Sequence, residues 1–259
     1  MKNHFSTLLT LAALCMGLGA VQGQTGLAGK IVLTDSNYDL YLLSMDTGVV
    51  QRLTTTKQSY EDYPELSLDG TEIVFHAADY STRGTLLSHG LYVMQAAPEG
   101  PSNPRVRLTT GGTKPAWSPD GTQIVFSCTL CNPNPNNGEL WLMDADGSGA
   151  HSILSSGVVD PIDSSWAPSG QIVFSGYTDS KNGRDLYTFD PVSLVLTRLT
   201  SGSGADDWPA WSPDARWIVI SCINKTTSTS TSGIYLMPAD GSQLPTLILK
   251  GGSQPSWGP

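Results

Sequence analysis

Two short segments carry the residues best suited to chemistry: Glu61-Asp62-Tyr63-Pro64 and Asp206-Asp207-Trp208-Pro209. Each sets two carboxylates beside a large aromatic ring and a proline. Hard oxygens converging on one point suit Ca²⁺ or a cationic ligand, with Tyr63 and Trp208 as flat walls. Two carboxyl groups at the right separation suit glycoside hydrolysis. The plainest reading is a solvated acidic rim whose aspartates cap nearby amides. It is favoured because no Asp-x-Asp-x-Asp-Gly loop is present.

Other reactive side chains offer less. His4 lies in an apolar start, and His151 opens a short polar run. His76 and His89 flank one long loop with Asp79 and Tyr80, and a solvent-exposed pair is expected there. Metal-dependent lyase chemistry would need histidines from several parts of the chain. The Thr226–Ser232 hydroxyl run has no base at a useful spacing, Asn224-Lys-Thr226 is a glycosylation sequon, and no Gly-x-Ser-x-Gly elbow occurs. Cys128-Thr-Leu-Cys131 sits beside Asn132-Pro-Asn-Pro-Asn-Asn137. No further metal ligands stand at recognisable spacing and no helix start lowers a thiol pKa, so a local disulfide is the first choice.

These segments are positioned by a repeat. One unit runs Pro115-Ala-Trp-Ser-Pro-Asp-Gly, Ile124-Val-Phe126, Glu139-Leu-Trp-Leu-Met-Asp-Ala-Asp-Gly-Ser148 and His151–Ser155. Its anchor positions Leu66, Trp117, Trp166, Trp211 and Trp257 are 51, 49, 45 and 46 residues apart. Each unit holds four strand signals, the strongest being the β-branched and aromatic Ile-Val-Phe run. Ser-Pro-Asp-Gly joins the first two strands and Ala-Asp-Gly-Ser the last two, both with turn chemistry. The recurrent Asp69, Asp120 and Asp214 are therefore read as turn residues.

The fold class is all-β: a five-bladed β-propeller of four-stranded antiparallel blades. Four whole units (64–109, 115–155, 165–200 and 209–250) accompany a composite blade of 30–54 plus 255–259. There Ser256-Trp257 is expected to supply the missing first strand and close the ring. The long loops 76–90, 128–138, 176–184 and 222–233 should share one face with the connections between blades. On that face Tyr63, Lys114, Asp163, Trp208 and Gln254, each just before a first strand, should ring the channel mouth. Glu61, Asp62, Asp206 and Asp207 should stand behind them in the connections. Sugar-cleaving propellers place acids on inner strands instead, which speaks against that chemistry here.

Pro-x-Trp-Ser-Pro-Asp-Gly, Ile-Val-Phe, Leu-Trp-x-Met-Asp-Ala-Asp-Gly-Ser and Arg-Leu-Thr together resemble the TolB-type, WD-repeat-like propeller family over about residues 30–259. The resemblance implies a fold more than an activity. Similar proteins include periplasmic TolB, which binds envelope partners, and non-catalytic propellers attached to prolyl peptidases. The chain is expected to differ from TolB in having five blades rather than six and no N-terminal α/β domain.

The chain has 259 residues and a net charge of −9, which disfavours nucleic acid and anionic lipid as partners. Lys2 followed by the apolar run Phe5–Leu18 reads as a secretory signal ending near Gly23, leaving residues 24–259 as one domain. A lipoprotein anchor at Cys15 is disfavoured by the bulky Leu14 before it. The mature chain is expected to be a soluble, monomeric, periplasmic or secreted binding propeller, holding a protein segment or small ligand on the long-loop face. It requires no cofactor, with Ca²⁺ an option. The alternative is an extracellular polysaccharide hydrolase or lyase.

Overall fold

The computed structural model describes residues 29–55, 58–100, 103–128, 131, 138–154, 158–177, 183–201, 204–224, 231–251 and 255. Among them there is no helix. The strands are β1 (Lys30–Thr34), β2 (Leu40–Ser44), β3 (Val50–Arg52), β4 (Ser59–Leu66), β5 (Glu72–Tyr80), β6 (Leu86–Gln95), β7 (Val106–Arg107), β8 (Thr113–Trp117), β9 (Gln123–Cys128) and β10 (Glu139–Asp144). They continue as β11 (His151–Ser152), β12 (Val159–Trp166), β13 (Ile172–Tyr177), β14 (Asp185–Asp190), β15 (Val195–Arg198), β16 (Ala205–Trp211), β17 (Trp217–Asn224), β18 (Thr231–Pro238) and β19 (Thr246–Lys250).

These form a five-bladed β-propeller. The second to fifth blades are four-stranded meanders, β4 to β7, β8 to β11, β12 to β15 and β16 to β19, and the first shows β1 to β3 among the described residues. Every ladder is antiparallel. The inner strands β4, β8, β12 and β16 pack in succession around the centre. The closing segment Ser256-Trp257, Gln254 and the proposed leader 1–23 lie outside the described residues.

The Ile-Val-Phe run explains how blades stack. A strand sandwiched between two blades must be apolar on both faces. Ile73 and Phe75 face the first blade, where they pack with Leu40, Leu42 and Leu53, while Val74 faces the third blade and packs with Trp117 and Phe126. Ile172 and Phe174 meet Val125 in the same way, and Val173 meets Ile218 and Ile220. Phe75, Phe126 and Phe174 are fully buried, each worth roughly 1.5–3 kcal/mol relative to exposure.

The repeated aspartates hold the turns. Asp69 accepts from Ser67 Oγ at 2.7 Å and the Thr71 amide at 3.0 Å, and Asp120 and Asp214 repeat the pattern. These bonds keep all three carboxyls below the usual range, Asp214 at about 2.

Strand extends into two of the expected loops. β5 and β6 pair as far as Tyr80 and Leu86, and β17 and β18 as far as Asn224 and Thr231. Side chains prolong the first hairpin: Ser88 Oγ donates to Asp79 at 2.7 Å, and Arg105 reaches the same carboxylate at 2.7 Å. Cys128 and Cys131 form a disulfide at the end of β9.

Candidate functional site at the channel mouth

The inner strands begin earlier than their prolines suggest. Ladder register slips between Asp62 and Glu65, Thr113 and Ala116, Ile162 and Ser165, and Asp207 and Ala210. Each slip is a β-bulge. Pro64, Pro115 and Pro209 have no N–H to lose, so they fit there at little cost. The acids stand within the inner strands, correcting the expectation that they sit in connections before them.

At each bulge one residue takes a left-handed backbone: Tyr63 (φ 51°), Lys114 (φ 52°), Asp163 (φ 55°) and Trp208 (φ 55°). For an L-residue this costs about 1–2 kcal/mol. Four such residues at equivalent positions form a strained ring of the kind that collects at ligand sites.

The bulges bring side chains of four blades together. The Tyr63 and Trp208 rings stack with centroids 5.9 Å apart and planes at 26°. The Lys114 ammonium lies over both, 5.4 Å from the Tyr63 centroid and 4.5 Å from that of Trp208. It also forms an ion pair with Asp163, whose side chain is 2% exposed. Burial pushes the Asp163 carboxyl up, and the Lys114 charge pulls it part of the way back. Asp163 Oδ2, Ser164 Oγ and Arg184 Nε are buried without a hydrogen-bond partner.

The paired acidic segments divide their labour by strand alternation. Glu61 and Asp206 turn toward the preceding blade. Glu61 is fully buried; it accepts from Thr54 Oγ1 and, at 3.0 Å, from Arg105. Asp206 accepts from Thr200 and from the Cys222 thiol, and burial raises its pKa. Their amides repeat the match, Glu61 N–H to Tyr38 O at 3.1 Å and Asp206 N–H to Arg184 O at 3.0 Å. Both are latches between blades. Asp62 and Asp207 pair differently. Asp62 lies 2.6 Å from His76 Nδ1 in its own blade, and Asp207 3.1 Å from Arg184 of the fourth blade, whose guanidinium lies 5.1 Å from the Tyr177 ring centroid.

The solvated rim is thus corrected: Glu61 and Asp163 are buried, because inner strands leave no room for water around them. His76 and His89 are corrected too. They stand on β5 and β6, part-buried, with rings 6.4 Å apart, and burial with the nearby His76 pushes His89 down.

Three features escaped the sequence reading. Glu65 stands where other blades carry Ala116, Ser165 and Ala210. It accepts the Trp117 amide at 2.8 Å, and burial raises its pKa to about 8. Its departure from a small-residue position was the available signal. Arg105 gathers Glu61, Asp79 and Glu99. Tyr38, Tyr60 and Tyr80 form an edge-to-face row, at 4.8 and 5.3 Å, in which Tyr38 and Tyr60 are exposed and Tyr80 pairs with the exposed Leu86 across β5 and β6. Among the described residues no group of three His, Cys, Asp or Glu is placed to hold a metal ion.

No protein-family model matches the chain. The Tol-Pal system protein TolB of Francisella tularensis is 32% identical over 113 residues, covering 42% of this chain and 25% of that one. The crystal structure of TolB from Acinetobacter baumannii superposes with a TM-score of 0.66 at 15% identity, covering 97% of this chain and 59% of that one. The chain has the β-propeller fold of TolB and resembles it in part of its sequence. An oligogalacturonate lyase solved with manganese has the same fold, with a TM-score of 0.61 at 14% identity over 85% of this chain and 62% of that one. The matched stretches of the chain span 25–31% of the first curated relatives' length.

Proposed function

We propose that this propeller is a non-catalytic binding module that holds a protein segment or small ligand at its channel mouth. The observation that carries it is the strained ring of Tyr63, Lys114, Asp163 and Trp208. Backbone strain kept at four equivalent positions, where it aims side chains of four blades into one mouth, is of the kind that collects at ligand sites. The tyrosine row adds exposed aromatic surface on blades one and two. The Lys2 and Phe5–Leu18 pattern and the similarity to TolB support a periplasmic or extracellular setting. No cofactor is required, and Ca²⁺ enters only as a competitor of the Lys114 ammonium for Asp163. Pull-down from an envelope extract tests the reading. Trp208→Ala and Tyr60→Ala should lose a partner that wild type captures; folded variants retaining every partner would overturn it.

Cleavage of an extracellular polysaccharide is the second reading. Glu65 and Asp163 are carboxyls on inner strands of different blades, and Glu65 is held protonated near neutral pH. A glycan screen separates the two: turnover abolished by Glu65→Gln would favour catalysis.

A further inference from the structure

The mouth already holds a cation. Lys114 places its ammonium over Tyr63 and Trp208 while pairing with Asp163, the arrangement by which proteins bind an ammonium guest. Yet its hold is partial. Its side chain is 16% exposed, it rises from a strained left-handed backbone, and its flexible stem needs no strand to move if it swings out. Asp163 would keep both oxygens buried behind the rings, and Oδ2 has no partner even with Lys114 in place. An unpartnered buried carboxylate oxygen beside two aromatic walls is half of a second cation's binding site.

We infer that Lys114 is an internal stand-in for a partner's primary ammonium, carried on a lysine side chain or a chain N-terminus, which displaces Lys114 and takes its place between the rings and Asp163. This rests on the proposed binding function and names the chemistry of the ligand. An internal competitor that fills a site 90–99% of the time weakens the guest's apparent affinity roughly 10- to 100-fold. Removing it should therefore tighten binding. A Lys114 that instead contacts an anionic ligand would behave in the opposite way.

The test is titration of the full chain with capped Gly-Lys-Gly and Gly-Glu-Gly tripeptides, read by calorimetry. Lys114→Met removes the competitor, and Lys114→Gly does so while accepting the left-handed backbone. Both variants are expected to bind the lysine peptide at least about tenfold more tightly than wild type. Asp163→Asn in the same background should abolish the gain, and the glutamate peptide should bind none of them. Free n-butylammonium should raise the thermal midpoint of Lys114→Gly. Rescue by n-butylammonium with no binding of the lysine peptide to any form would make Lys114 a structural plug and overturn the inference. So would wild-type binding of the glutamate peptide that is lost in the variants. If the inference fails while Trp208→Ala still loses its captured partner, the binding face stands with another chemistry; if that loss also fails, both fall.

Discussion

Tyr63 and Trp208 belong to the second and fifth blades, 145 positions apart in sequence, yet their rings stack across the channel mouth at 5.9 Å. Both are set there by the same device, a bulge whose middle residue is left-handed. Their separation in the chain and closeness in space define the mouth.

Replacing either ring by glycine should divide stability from binding. Glycine relieves about 1–2 kcal/mol of backbone strain and loses roughly as much through unfolded-state entropy and missing ring contacts. Tyr63→Gly and Trp208→Gly should thus shift urea-unfolding stability by no more than about 1 kcal/mol, while partner capture is lost. A drop of several kcal/mol would make the rings core residues.

The Lys114–Asp163 pair should be costly to break from one side. Asp163→Asn leaves an ammonium in a mostly buried setting, and an orphaned partner of a buried pair costs roughly 3–5 kcal/mol; partial exposure of Lys114 should reduce this to about 2–3 kcal/mol. The double variant Lys114→Met/Asp163→Asn should recover much of it in a double-mutant cycle.

Glu65 should leave a pH signature. Its folded pKa is raised to about 8 from an ordinary 4.5 by burial. Between those values the folded chain keeps a proton that the unfolded chain has released, so stability falls as pH rises, by about 1.4 kcal/mol per unit. Below the lower value the contribution is fully present. Chemical unfolding at pH 5 and pH 8 should show this fall in wild type, and Glu65→Gln should flatten it.

Much of this was legible in the sequence. The repeat spacing named the blades, and Ser-Pro-Asp-Gly named the turns. The four mouth residues Tyr63, Lys114, Asp163 and Trp208 were singled out because they share one repeat position. Their backbone was not legible. A proline usually marks a strand boundary, whereas Pro64, Pro115 and Pro209 sit inside strands at bulges that need no N–H. That error moved Glu61 and Asp206 into connections and hid their roles as latches. The Tyr38–Tyr60–Tyr80 row was hidden for another reason, since it joins residues of two blades through side-chain packing that no local pattern encodes.

Arg105 should behave as a tie that binds the inner and outer strands of the second blade. It reaches Glu61 at 3.0 Å and Asp79 at 2.7 Å, and removing it leaves buried carboxylates without their cation. Arg105→Ala should cost roughly 3 kcal/mol or more in urea unfolding, and Arg105→Lys should recover only part of it because one ammonium cannot span both acids.

The most direct measurement is quantitative capture from an envelope extract by wild type, by the mouth variant Trp208→Gly, and by the opposite-face variant Asp214→Asn, all with matched unfolding midpoints. A binding role for the strained ring requires the captured partner to disappear with Trp208→Gly and to remain with Asp214→Asn. Full retention by the mouth variant, or loss confined to the opposite face, would contradict it.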